Sequence, residues 1–413
     1  MRIHRLDNPV QRYAWGSADG MTRALGIPNP GGGPLAELWM GAHPKAPSLA
    51  ECPSGPRPLN LLLEDEPDGT LGPDAVARFG PSLPFLFKVL SAATPLSIQA
   101  HPGKRKAERG YERENLGGVP IDAPERNYKD PNHKPEMAVA LTSFELLCGF
   151  RPIPEMGRAM RLISPDLHHR QLSRLEANPG KVELSVFFYA LVSMQERDRL
   201  FMLESARARV EELLARGRVP DTEIEAFRWV LRIMDSFPGD IGAFGPLLLN
   251  HVTLRPGEAV FIAPGELHAH LGGTCLEIMA NSDNVIRGAL TPKYVDLPEL
   301  ISVLGFSPAR TPVLLADRLS ESEERYPISV PDFALSRILV SSSSSHTRRG
   351  SSPEILLCTE GQARLSCEGE QTRTLERGQS VFVEASAGAY RLEAGTDPSS
   401  HAILYKAYVP EAS

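Results

Sequence analysis

Cysteine is scarce in this chain, and scattered. Five residues in 413 (Cys52, Cys148, Cys275, Cys358 and Cys367) form an odd set with no C-x-x-C pair. That argues against a disulfide framework and against a cysteine-built zinc knuckle. Long apolar runs are missing as well. No stretch approaches the ~20 consecutive apolar residues of a membrane span, and the opening MRIHRLDNPVQRYAWGS lacks the apolar centre of a secretory signal. A cytoplasmic protein with no membrane partner is expected. Nor is there an excess of positive charge, the formal net charge being −7. Binding a nucleic-acid backbone needs a net basic surface, so nucleic acid is not the expected partner, whereas a small anion needs only a local basic pocket. What is present suits a globular chain of two or three domains: hydrophobic residues make up 42% and charged residues 23%.

Proline and glycine break the first third of the chain into short apolar runs. LPFLFKVLSA and PLSIQAHP read as strands, and MAVALTSFELLCGF as one or two more. Residues 153–243 change character. ERDRLFMLESARARVEELLARG has helical periodicity and ends on Gly217. In the next segment Thr222 and Glu225 stand at capping-box spacing, and Ile224, Phe227, Leu231 and Met234 fall on one face. Strand character then returns, with short runs bounded by Pro-Gly turns, as in an antiparallel barrel or sandwich. RPGEAVFIA at 255–263 is echoed by RGQSVFVEA at 377–385. The first copy runs on into two histidines and the second into none, which fits two related β-barrels of which one keeps a metal site. The tract SSSSSHTRRGSS reads as an exposed loop, with His346 as a loop histidine.

Three places gather groups that bind metals. Gln99 and His101 stand two apart at a strand end, so their side chains share a face. DPNHKPEM holds His133, Lys134 and Glu136; PGELHAHL alternates Glu266, His268 and His270 onto one face. Imidazole, carboxylate and amide oxygen together suit zinc or a similar divalent ion. Spacing alone does not choose between His268 and His270, nor between His133 and Glu136. Cations accompany them. Lys88 lies inside an apolar strand, where it must reach solvent or meet an anion. Lys134 neighbours a candidate ligand, Arg287 follows NSDNVI, and Lys293 follows LTP and reads as a surface charge. Cations beside a metal suit a phosphorylated substrate or a developing oxyanion.

At this point the chain resembles the type I mannose-6-phosphate isomerases, zinc-dependent members of the cupin superfamily. YAWGS, AELWMGAHPKAPS, PLSIQAHP, YKDPNHKPEMAVAL and MANSDNVIRGALTPKYVD carry the resemblance; with the helical block and the C-terminal strands it covers essentially the whole chain. The fold it implies is mainly β, two cupin-like β-barrels of jelly-roll type with an inserted α-helical domain. Residues 1–152 and 244–313 would form the zinc-binding barrel, 153–243 the helical insertion, and 314–413 a C-terminal barrel without a metal site. One Zn2+ per chain is implied, held by Gln99, His101, Glu136 and His268. The pocket would include Lys88, Ser97, His133, Lys134, Glu277, Asp283 and Arg287. His270 stands where the family commonly carries tyrosine in a PHAY pattern. It would either compete as a ligand or replace a pocket hydroxyl with an imidazole.

The implied reaction interconverts mannose 6-phosphate and fructose 6-phosphate through a cis-enediol(ate), in a monomer. Arg287 would stabilise charge or grip the phosphate, with Lys88 next and Ser97 donating a hydrogen bond. His133 and Lys134 would carry the proton, and Asp283 would assist ring opening or orient a partner. The rival readings are an isomerase of another aldose or aldose phosphate, and a metal-containing cupin that only binds sugar.

Overall fold

The computed structural model describes residues 1–163, 169–348, 350–395, 397 and 399–411. It is mainly β, with two large antiparallel sheets and one block of helices. The ten-stranded sheet is organised around the strand His268–Ala280, which pairs with Phe85–Ala92, Glu136–Ala140 and Phe144–Phe150. At its first residue it also pairs with Ile98–Ala100, His268 lying opposite Gln99. The twelve-stranded sheet takes most of its strands from residues 317–408.

Its remaining strands come from the other end of the chain. Ile3–Asp7 pairs with Ser380–Val383, Ile3 opposite Val383, and carries Leu49–Ala50 and Arg57–Pro58 along with it. The expectation that residues 1–152 belong wholly to the first barrel is corrected to this extent. Nothing in the sequence of this segment names the sheet it joins. The choice is made by Ile3, which packs among Ile338, Leu356 and Val381, and by His4, whose Nε2 lies 2.8 Å from Glu384 Oε1. The two sheets also share one core. Phe85, Phe87, Val89, Met137 and Ile278 from the first pack in a continuous cluster with Leu335, Ile355, Leu357 and Phe382 from the second.

The helices Ile153–Ile163, His169–Ala177, Lys181–Val192, Glu196–Ala215 and Ile224–Ser236 form the expected block, which runs on through two short turns to Leu248. Their apolar faces pack on Ile98, Leu147, Leu249, Leu267 and Ile286, covering one flank of the first sheet. Gly217 ends its helix as expected: at φ +60° it lets the Arg218 N–H bond back to the Leu213 carbonyl. The capping box does not form. Pro220 starts a 3-10 turn at Asp221–Glu223 and the α-helix begins at Ile224 with no side-chain cap. Glu223 is instead turned to Arg151, which donates to both its oxygens (Nη1 to Oε2 at 2.9 Å). Arg151 is buried and ties the helices to the end of a sheet strand. Arg151→Met strands that carboxylate and should cost about 2–3 kcal/mol, read as a lower urea midpoint; an unchanged midpoint would show that the pair contributes nothing.

His346 is not a loop histidine. His346–Thr347 is a short strand paired with Tyr390–Glu393, and the imidazole is buried. Flanking serines conceal the period of two that points His346 and Arg348 inward and Thr347 outward. Among the described residues, no helix is long and apolar enough to cross a membrane.

Candidate metal centre and active site

Three buried side chains converge at ends of strands of the first sheet, His101 just past Ile98–Ala100, and Glu136 and His268 at the first residues of theirs. His101 Nε2 lies 3.3 Å from Glu136 Oε1, and His268 Nε2 lies 3.4 Å from Glu136 Oε2. Each imidazole is aimed from behind. His101 Nδ1–H donates to the Asn284 carbonyl at 2.7 Å, and His268 Nδ1–H to the Glu266 carbonyl at 3.0 Å. Those bonds fix the tautomer and leave both Nε2 lone pairs facing the carboxylate. Neither Nε2 has a hydrogen-bond partner. Burial lowers the His101 pKa to about 4 against the pull of Glu136, so the ring is neutral, as metal ligation requires. For Glu136 burial acts upward, but His101 and Lys134 outweigh it and hold the carboxyl well below its ordinary range.

Among the described residues this is the one group of three or more His, Cys, Asp or Glu that could hold a metal ion. Gln99 pairs with His268 across the strands and lines the same cavity, its Oε1 accepting from Ser97 Oγ at 3.3 Å. The three clustered donors, two imidazole nitrogens and a carboxylate, fit a divalent ion of the zinc type. The ambiguities left by spacing are thereby resolved in geometry: Glu136 rather than His133, and His268 rather than His270, join the cluster.

A cavity of about 670 Å³ opens over these groups. His270 and Glu277 line it together, His270 Nε2 lying 3.8 Å from Glu277 Oε1. They are seven residues apart on one strand, and strict alternation would place them on opposite faces. A register shift between His270 and Gly272 inserts one residue and restores the common face. Both His270 nitrogens lack hydrogen-bond partners, and burial lowers the ring's pKa.

Lys88 meets anions rather than solvent. Its Nζ lies 3.4 Å from Glu277 and 3.6 Å from Glu37, and 5.2 Å from the centre of the Trp39 ring. Burial alone would discharge it, but the two carboxylates outweigh that and raise its pKa. Lys134 Nζ is 3.1 Å from Glu136 Oε1 and also faces the cavity. Arg287, opposite Gln99 on the neighbouring strand, lines the cavity with no ion-pair partner among the described residues, and burial lowers its pKa. Lys293 lines it too, its pKa lowered by burial and then by Arg287. Two uncompensated cations on one wall favour an anion there.

Two predicted residues stand outside the cavity wall. His133 Nε2 is bonded to Asp332 Oδ2 at 2.8 Å, and Asp283 is held by Lys45 at 2.7 Å and His43 at 3.4 Å. Sequence reasoning also missed Glu37 and Trp39. The signal was available, since Glu37 interrupts the apolar strand LAELWM with Trp39 two residues on, but nothing local names Lys88 as their partner. Lys293 is exposed, the surface charge expected of it, and the turn that also brings it over the cavity leaves no mark in its neighbours.

Comparison with known proteins agrees over the chain's full length. The family described as "Phosphomannose isomerase type I, catalytic domain" matches residues 3–153, and "Mannose-6-phosphate isomerase, cupin domain" matches 322–397. The mannose-6-phosphate isomerase of Escherichia coli K12 is 41% identical over 389 residues, spanning 93% of this chain and 95% of that one. The human mannose-6-phosphate isomerase is 34% identical over 414 residues, spanning 93% and 94%. The solved mannose 6-phosphate isomerase of Salmonella typhimurium, bound to the substrate fructose 6-phosphate and zinc, superposes with a TM-score of 0.88 at 38% identity, all of both chains being covered.

Proposed function

This chain is an enzyme of the type I phosphomannose isomerase family, and we propose that it interconverts mannose 6-phosphate and fructose 6-phosphate in the cavity over His101, Glu136 and His268. One observation carries the reading: a cluster fit for a metal and a pair of uncompensated cations line a single cavity. A sugar phosphate has a carbonyl end for the first and an anionic end for the second. Gln99, His101, Glu136 and His268 would hold one zinc ion, which when bound supplies Lewis-acid polarisation of a substrate oxygen.

The remaining work falls to the chain's own side chains. Arg287 and Lys293 grip the phosphate and so set the depth at which C1 and C2 lie. His270 and Glu277 offer hydrogen bonds to the sugar hydroxyls, the imidazole replacing the tyrosine usual in the family. Lys134 takes the proton from C2 of the opened aldose. The electron pair of that C–H bond becomes the second bond between C1 and C2 of a cis-enediol(ate), and the π pair of the C1 carbonyl moves onto O1. The hydroxyl proton of O2 passes to O1, and as the O2 pair forms the carbonyl at C2 the C1–C2 π pair takes the proton back at C1. His133 and Asp283 are proposed as positioning residues behind the wall, the first aligning Lys134 and the second the loop that carries Asn284.

The test is conversion of mannose 6-phosphate by protein as purified, after chelation, and after zinc is restored. Activity lost and regained is expected; a zinc-replete protein without turnover overturns the reading. A sharper result is expected from Arg287→Met and Lys293→Met. Each removes a charge-assisted hydrogen bond of about 1.5–3 kcal/mol, so kcat/KM for mannose 6-phosphate should fall roughly ten- to a hundredfold. Any rate on unphosphorylated mannose should not change. Equal losses on both substrates would remove the phosphate from that wall.

A further inference from the structure

The C-terminal sheet encloses a second cavity, of about 800 Å³, that shares no lining residue with the first. Its inner wall is made of charged side chains withdrawn from water. Arg348 Nε lies 2.9 Å from Glu354 Oε1, the Tyr390 hydroxyl donates to Glu354 Oε2 at 2.7 Å, and Lys406 Nζ lies 2.8 Å from Glu323 Oε1. Arg348, Glu354 and Lys406 are all buried. Buried ion pairs rarely stabilise a fold more than packed apolar side chains would, so stability gives no reason for placing them here.

The decisive group is His346. It lines this cavity and is 3% exposed. Its Nδ1 lies 3.3 Å from Ser322 Oγ, while Nε2, at the far edge of the ring, has no hydrogen-bond partner. A buried polar nitrogen left unpaired is costly, and a ligand hydroxyl would satisfy it. Glu323 beside it accepts from hydroxyls, and Tyr408 adds an aromatic wall. At the mouth stands Arg325, exposed and without an ion pair among the described residues. Hydroxyl-binding groups inside and a free guanidinium at the rim describe a phosphorylated polyol.

Pro331 and Phe333 line this cavity, and Asp332 between them, itself off the lining, accepts the hydrogen bond from His133, the residue before Lys134.

We propose that this cavity is a second binding site, for a molecule of the hexose phosphate class, and that its occupancy is felt at the active site through Asp332 and His133. The assignment uses none of the catalytic groups, so it stands or falls separately from the reaction assigned above.

Zinc-loaded full-length protein is titrated calorimetrically with fructose 6-phosphate and, in parallel, with fructose. Two sites per chain are expected for the phosphate and none of the second class for fructose. His346→Gln, and Arg325→Glu at the exposed rim where folding is not at risk, should each weaken the second site at least about tenfold and leave kcat unchanged. Arg287→Met should weaken only the first. Product inhibition should be mixed in the wild type and purely competitive in His346→Gln. A single site in the wild type, a second site that survives both His346→Gln and Arg325→Glu, or equal binding of fructose overturns the site. Two sites with purely competitive inhibition in the wild type overturns the coupling.

Discussion

Glu136→Gln is expected to empty the metal centre and lower kcat at least about a thousandfold. The amide keeps the shape of the carboxylate and loses its charge. That charge is what both His101 and His268 face, at 3.3 and 3.4 Å, and it is the single anionic donor among the four proposed ligands. Neutral imidazoles and an amide oxygen leave a divalent cation uncompensated in a buried site, where unbalanced charge is most costly. Lys134 sharpens the effect. Its ammonium lies 3.1 Å from Glu136, so the variant leaves a cation repelling a cation. Metal content by mass spectrometry of the native protein, measured beside turnover, is the check. Near-stoichiometric zinc with wild-type turnover in Glu136→Gln would remove Glu136 from the ligand set. His270→Phe is the control: His270 lies outside the three-residue cluster, on Glu277, and this variant should keep its metal.

Lys134→Met should do the reverse, retaining zinc while kcat falls about a hundredfold to ten-thousandfold, the range for removing a positioned acid–base group. Loss of turnover alone would not separate a proton carrier from an electrostatic support. Isotope exchange does. In deuterated water the wild type should wash the C2 proton of mannose 6-phosphate into solvent, and Lys134→Met should not. If exchange continued at the wild-type rate while turnover fell, Lys134 would be acting on charge rather than carrying the proton, and a different base would have to be sought in the cavity. Methionine suits the substitution because it keeps the length of a side chain that is buried here.

Much of this protein was legible one segment at a time. The i, i+2 spacing of Gln99 and His101 put them on one face, the His268/His270 strand was readable from alternation, and the helices from 153 onward followed from their periodicity and from Gly217. These are local matters, decided by backbone geometry within a few residues, and a chain carries that information in its own order. The resemblance to type I isomerases added the choice of ligands. What lay beyond reach involves partners far apart in sequence. Lys88 reveals a need for an anion but not that Glu37 and Glu277 supply it. Ile3–Asp7 carries no sign in its own residues of belonging to the C-terminal sheet. His133 looks like a ligand until Asp332 is seen to hold it, and His346 looks like loop until Tyr390–Glu393 pairs with its strand. The shift between His270 and Gly272 decides the face on which Glu277 stands, and a bulge reflects how neighbouring strands fit rather than any residue's preference. Sequence by itself determined most of the strands and helices and which side chains could do chemistry, because those follow from local sterics and the pKa range of each group. Tertiary structure alone decided which of those side chains meet, because pairing register, burial and the compensation of charge depend on groups brought together from opposite ends of the chain.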